Sequence, residues 1–205
     1  KNSHLEVMKA EVPGPVFGKV VSKLKNTAQF LYFLYLGLFF LFVVLYFLAG
    51  MPLYDSFVIA MGTAGTGGFT VFNDGIAHYN SSLISYLVSI GVLVFGVNFN
   101  LYYFLMIRKF KAFFKDEELR TYITIVLVSS VLIAYNVLHL FVNVAKSFVI
   151  SVYLVSNIIT TTGFGYGTTE KWPLFSQFIL LMLMVVGGSA GSTAGGLKVI
   201  RCLTL

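Results

Sequence analysis

Residues 147–165 read Ser-Phe-Val-Ile-Ser-Val-Tyr-Leu-Val-Ser-Asn-Ile-Ile-Thr-Thr-Thr-Gly-Phe-Gly. The stretch Ser147 to Thr160 is mostly apolar, yet as a helix it reaches only about 21 Å. That is too short for a hydrocarbon layer of about 30 Å. It ends in the turn Thr161-Thr162-Gly163-Phe164-Gly165. The same arrangement stands 95 residues earlier, where Pro52 to Ala64 runs into Gly65-Thr66-Gly67-Gly68-Phe69-Thr70. At that offset Ser56 falls on Ser151, Thr66 on Thr161, Gly68 on Gly163, Phe69 on Phe164, Ser81 on Ser176 and Gly96 on Gly191. A half-length apolar helix followed by a Gly/Thr turn is a re-entrant element. Such backbone is tolerated at membrane depth only inside protein or along a watery cavity.

Working outward, each short helix is flanked by longer apolar segments. Phe30 to Gly50 and Ser82 to Ile107 bracket the first, and Tyr122 to Val142 and a segment from Leu174 bracket the second. The chain of 205 residues is 58% hydrophobic and only 11% charged, against roughly 25% charged in soluble domains. The expected fold is therefore an all-α membrane protein of tandem span–pore helix–span repeats, with two repeats present. The divisions are a cytoplasmic amphipathic lead-in over 1–29, a pore repeat over 30–107, a cytoplasmic loop over 108–120 and a second pore repeat over 121–205. Within the first repeat the span is 30–50, the pore helix 52–64, the turn 65–70 and the second span 82–107. Within the second the span is 122–142, the pore helix 147–160, the turn 161–165 and a broken span 174–205.

Lys and Arg number 5, 5 and 2 in segments 1–29, 107–121 and 197–205, whereas the Gly/Thr sides hold only Lys146 and Lys171. Twelve against two places the basic segments in the cytoplasm and the Gly/Thr turns outward. The net charge of +6 is thus a topology signal, and no nucleic-acid partner is expected. Membrane lipid is the expected surrounding.

The turns offer carbonyl and hydroxyl oxygens without fixed charge. Gly68 and Gly163 permit backbone conformations and approaches that side chains block. Such a surface replaces the hydration shell of a monovalent cation, and the partly negative C-terminal end of a helix aimed at it favours the same sign. No carboxylate is read within the hydrocarbon part of the spans. Asp55 and Asp74 are assigned structural or vestibule roles. The last span is interrupted by Gly187-Gly188-Ser189-Ala190-Gly191-Ser192-Thr193-Ala194-Gly195-Gly196. Two readings stand: a close-packing helix face, with Gly187, Gly191 and Gly195 four apart, or an intramembrane loop that blocks or admits ions. The run is not a phosphate loop, because it does not match G-x-x-x-x-G-K-[ST].

No nucleophile–base pair or ligand set supports an enzyme. His4, His78 and His139 are scattered, so no metal is expected other than a monovalent cation at the turns, and no cofactor. Trp172 and the span-end tyrosines read as an aromatic belt. Cys202 has no intrachain partner. The chain starts at Lys1 and stops just after an apolar segment, so a fragment of a longer protein is expected.

Together, Ala10-Glu11-Val12-Pro13-Gly14-Pro15, Thr66-Gly67-Gly68-Phe69-Thr70, Thr160 to Gly165 and Gly187 to Lys198 resemble the Trk/Ktr/HKT superfamily of potassium transporters, most closely its bacterial Trk-type membrane subunit. The resemblance covers nearly the whole chain. It implies four span–pore helix–span repeats around one pore, of which this chain is similar to the second and third. It implies a selectivity filter at Thr66, Gly67, Gly68, Phe69, Thr161, Thr162, Gly163 and Phe164, and an intramembrane gating loop over 187–196. It also implies potassium as substrate, the bacterial cytoplasmic membrane as location, a homodimer of the complete subunit and a cytoplasmic nucleotide-binding regulatory subunit. A dimeric channel of two pore units per chain is the alternative. Both turns lack the Thr-Val-Gly-Tyr-Gly pattern that it would carry.

Overall fold

A computed structural model describes residues 24–106, 108–138, 143–166 and 172–204. The lead-in before Leu24, the Ala10 to Pro15 motif, His139, Glu170 and Lys171 lie outside the described residues. Among those described, the regular structure is helical, and the one β-type pairing is an isolated antiparallel bridge between Gly75 and Tyr166.

Helix α1 (Leu24–Leu48) is followed by the short α2 (Leu53–Ala64), a 3-10 turn (Ile76–Tyr79) and α3 (Ser82–Phe95). Then come α4 (Phe99–Met106), α5 (Phe110–Lys115), α6 (Glu117–Asn136), the short α7 (Val144–Ile159), α8 (Leu174–Val186) and α9 (Val199–Thr204). The segments Gln29–Leu48 and Glu117–Asn136 are long and apolar enough to cross a membrane.

Helix α1 is apolar all round, as a lipid-facing span must be. Phe39, Phe42, Val43 and Tyr46 turn inward and are buried, while Phe33, Phe40, Val44 and Phe47 are exposed on the opposite face. Helix α7 is the opposite case. It packs against α3, α6 and α8 and is buried along most of its length, from Ser147 to Ile159. Both short helices start at residues that suit a helix beginning. Pro52 precedes α2, and the Asn143 side chain accepts the Ala145 N–H at 2.9 Å before α7. Asp116 caps α6 through the Leu119 N–H at 2.8 Å, so this helix begins five residues ahead of the span expected from Tyr122.

One expectation is corrected. The segment Ser82 to Ile107 is not a single continuous span, because α3 and α4 meet at a 93° bend. Gly96 and Asn98 sit at the break. The Phe95 and Gly96 carbonyls, freed from the helix, accept N–H groups of Thr193 (3.3 Å) and Ser189 (3.0 Å). The Asn98 side chain accepts the Asn100 N–H at 3.0 Å and starts α4. A chain segment nearly a hundred residues away thus supplies the donors that make the bend stable. Trp172 is also corrected: it is buried in the core cluster rather than placed in an exposed belt.

Candidate functional site

The two Gly/Thr turns have one backbone. Thr66 and Thr161 both have positive φ (47° and 56°), as do Gly68 and Gly163 (69° and 79°). In the first turn the N–H groups of Gly65, Thr66 and Gly67 bond to the carbonyls of Met61, Thr63 and Gly62 at 2.9, 3.3 and 2.8 Å. In the second, those of Thr160, Thr161 and Thr162 bond to Ser156, Ile158 and Asn157 at 3.2, 3.0 and 2.9 Å. Each of these three donors and acceptors is displaced by the same 95 residues, and the second turn adds a bond from the Gly163 N–H to the Asn157 carbonyl at 3.2 Å. The short helices α2 and α7 therefore end alike, each by wrapping its last free carbonyls with the turn that follows.

The turns lie against each other. A Cβ on Gly68 would collide with the Thr162 carbonyl, and one on Gly75 with the Gly165 carbonyl. The Ile76 N–H reaches the Gly165 carbonyl at 3.4 Å. The Phe164 ring packs where a Cβ on Gly62 would stand, 2.9 Å away.

Among the described residues, the carbonyls of Thr66, Gly67, Gly68, Phe69, Thr161, Thr162, Gly163 and Phe164 receive no hydrogen bond. Backbone carbonyls in folded proteins are overwhelmingly paired with protein or water. These eight acceptors lie on two adjoining turns, with no ionised group among them. Of the eight expected residues, Gly68 meets Thr162 and Gly163 directly, and Thr66 and Thr161 both meet the loop 187–196.

Residues 187–198 are not helical. Gly187, Gly191 and Gly196 have positive φ, so the four-residue glycine spacing does not form a helix face. The run folds back on itself instead. The Gly188 N–H bonds to the Gly195 carbonyl at 3.3 Å, and a Cβ on Gly187 would strike the same carbonyl. This loop touches both turns through the matched threonines. Thr66 Oγ1 lies within donating distance of the Thr193 carbonyl, at 2.9 Å. Thr161 Oγ1 accepts the Gly195 N–H at 2.7 Å.

Two residues beside the loop were not singled out from sequence. Glu118, in the first turn of α6, is buried, and its carboxylate accepts the Ala190 N–H at 2.6 Å. Lys198 is also buried and donates to the Ala194 carbonyl. In the sequence, Glu118 is indistinguishable from the neighbouring Asp116 and Glu117. Only the helical position sets it inward.

Asp55 is buried in α2 and accepts the Tyr79 hydroxyl at 2.7 Å, outside the turns. Burial, and then the adjoining Asp55, push the Tyr79 phenol above its ordinary value. His78 stacks on Phe72 at 3.6 Å between ring centroids. Among the described residues no group of His, Cys, Asp and Glu has the arrangement of a metal site.

A family model described as "TrkH: Cation transport protein" matches residues 5–205. The Trk system potassium uptake protein TrkH of Salmonella typhimurium is 30% identical over 207 residues, covering 98% of this chain and 42% of that protein. The Trk system potassium uptake protein TrkG of Escherichia coli K12 is 32% identical over 203 residues, covering 98% and 42%. The crystal structure of the potassium transporter TrkH from Vibrio parahaemolyticus superposes with a TM-score of 0.84 at 30% identity. It covers 91% of this chain and 41% of that one. The chain thus spans about two fifths of the length of these relatives.

Proposed function

The chain belongs to the TrkH family of cation transport proteins, and from that membership we propose that it forms half of a potassium uptake pathway across the bacterial cytoplasmic membrane. In this reading residues 30–107 and 121–205 are two of four span–pore helix–span units, joined by the cytoplasmic loop 108–120. Thr66 to Phe69 and Thr161 to Phe164 contribute two quarters of a carbonyl-lined filter. An ion sheds water onto these oxygens and is repaid in coordination, while the C-terminal ends of α2 and α7 add a favourable field. No bond is made or broken, and the family is one of transporters rather than enzymes.

The observation that carries this reading is the pair of matched turns with eight free carbonyls. The loop 187–196 lies against both of them and acts as the gate. Its tie to Thr66 and Thr161 supports this role, and its many glycines make rearrangement inexpensive in steric terms. A second copy of the complete subunit and a cytoplasmic nucleotide-binding regulator are the proposed partners. The two-unit dimeric channel is not retained, since the relatives named above are Trk uptake proteins.

The test is Gly163→Asp in the complete subunit, with potassium and sodium fluxes measured in proteoliposomes. The expected result is lost flux or a changed ion ratio, because a carboxylate then stands in an otherwise uncharged coordination surface. Unaltered fluxes of both ions in a well-expressed variant would overturn the filter assignment.

A further inference from the structure

Glu118 is separate from both turns, yet it ties α6 to the loop. Its carboxylate takes the Ala190 N–H from the loop at 2.6 Å. The Asn98 residue, at the bend between α3 and α4, and Ile200, in the first turn of α9, line the same cleft as this carboxylate. The neighbouring acids do other things: Asp116 caps α6 and Glu117 is exposed. A buried carboxylate is costly unless fixed donors satisfy it, and the Ala190 N–H of the loop does so here. Short hydrogen bonds to an ionised acceptor are among the stronger ones.

Lys198 completes the arrangement from the other end of the loop. Its ammonium binds the Ala194 carbonyl, and it interacts electrostatically with Glu118. The loop is therefore clasped on an N–H by an anion and on a C=O by a cation, four residues apart. Glu118 also lines an open cleft of about 450 Å³, together with Asn98, Lys115, Asp116 and Leu203. A released carboxylate has room there to rehydrate, so the clasp can open without unfolding α6.

We propose that Glu118 is a positioning residue that holds the glycine-rich loop against the two turns, and that loss of its grip releases the loop. This rests on the reading of the loop as a gate. The experiment uses the complete subunit with Cys202→Ser and a reporter Ser192→Cys on the loop. Modification of the reporter by a thiol reagent is timed, and rubidium, potassium and sodium fluxes are measured in proteoliposomes.

Glu118→Ala is expected to speed modification and to raise resting rubidium flux, each by about tenfold, the scale set by losing a hydrogen bond to a charged group. The potassium-to-sodium ratio stays as in the parent. Glu118→Gln keeps the side-chain volume and one acceptor oxygen, so it gives a smaller rise. It decides the question alone if Glu118→Ala does not assemble. Unchanged modification rates overturn the clasp. A changed ion ratio also overturns it, because Glu118 would then act on the ion rather than on the loop. Faster modification with unchanged flux upholds the clasp and counts instead against the loop as the gate.

Discussion

Phe164 in the second turn is 2% exposed, whereas Phe69, its counterpart in the first, is 78% exposed. The backbones that carry them share three hydrogen bonds at the same offset. What differs is the neighbour. Phe164 leans on Gly62 of α2, in the preceding unit, and a Cβ on Gly68 would meet the Thr162 carbonyl of the following one. A Cβ on Gly163 would meet nothing within 4 Å. Each turn's conformation is therefore written locally, by the wrap over the end of its own short helix, while its packing is supplied by another unit. At the junction between them, the ring of the second turn packs on the short helix of the first, and the glycine of the first turn faces the second.

The largest expected effect sets the glycines against each other. Gly68→Ala must bear a positive φ, which costs an L-residue about 1–2 kcal/mol, and must also displace the Thr162 carbonyl. A total of about 4–5 kcal/mol, at the far end of single substitutions, and loss of flux are expected. Gly163→Ala bears the φ cost alone if nothing stands beyond it. Thermal unfolding of both variants in the complete subunit measures the difference. Equal losses would show that another carbonyl faces Gly163 in the complete subunit.

The phenylalanines come next. Phe164→Ala removes a buried ring and is expected to cost about 3–5 kcal/mol. Phe69→Ala is expected to stay within about 0.5 kcal/mol if its ring remains exposed. A large loss at Phe69, read from the same unfolding curves, would mean that a helix outside this chain covers it as α2 covers Phe164.

The threonines sharpen the comparison at the loop. Thr161→Val leaves the Gly195 N–H without its acceptor, and an unsatisfied donor costs about 1–3 kcal/mol. Thr66→Val removes a donor from the Thr193 carbonyl, and under-satisfied carbonyls are better tolerated. The resting cation leak is therefore expected to rise more for Thr161→Val than for Thr66→Val, as measured by rubidium flux without any regulator. The reverse order would place the stronger tie of the loop on the first turn.

The parts that could be read from sequence are those whose physics is local. Glycines and threonines at a fixed offset after a half-length apolar run specify a turn that closes over its own helix, with no distant partner required. The break at 187–196 was legible because five glycines cannot sustain a helix cheaply. The bend at Gly96–Asn98 was not, because a single glycine in an apolar run is ordinarily tolerated. The donors that stabilise the bend, on Ser189 and Thr193, come from the loop. Glu118 was missed for a similar reason. Three consecutive acids look alike until the helix turns one inward, and only then does the loop's Ala190 N–H select it.

The smallest expected effect lies where the two units differ in chemistry. Asp55 and Tyr79 join α2 to the turn before α3, and at the offset of 95 their counterparts are Ile150 and Leu174. Ile150 is buried in the core, and Leu174 is 83% exposed. One unit thus fastens its short helix with a hydrogen bond, while the other buries an aliphatic side chain and leaves its partner position free. Tyr79→Phe deletes the bond and leaves a carboxylate 5% exposed with less to satisfy it, so about 1–2 kcal/mol of stability is expected to be lost. The phenol's pKa is raised above its ordinary 10.0, so its contribution is complete below that value and declines only as pH rises through the folded one. The loss on Tyr79→Phe should therefore be the same at pH 6 and pH 8. A loss confined to one of those pH values would mean that another titrating group governs this joint, and the contrast between a polar and an apolar fastening would have to be redrawn.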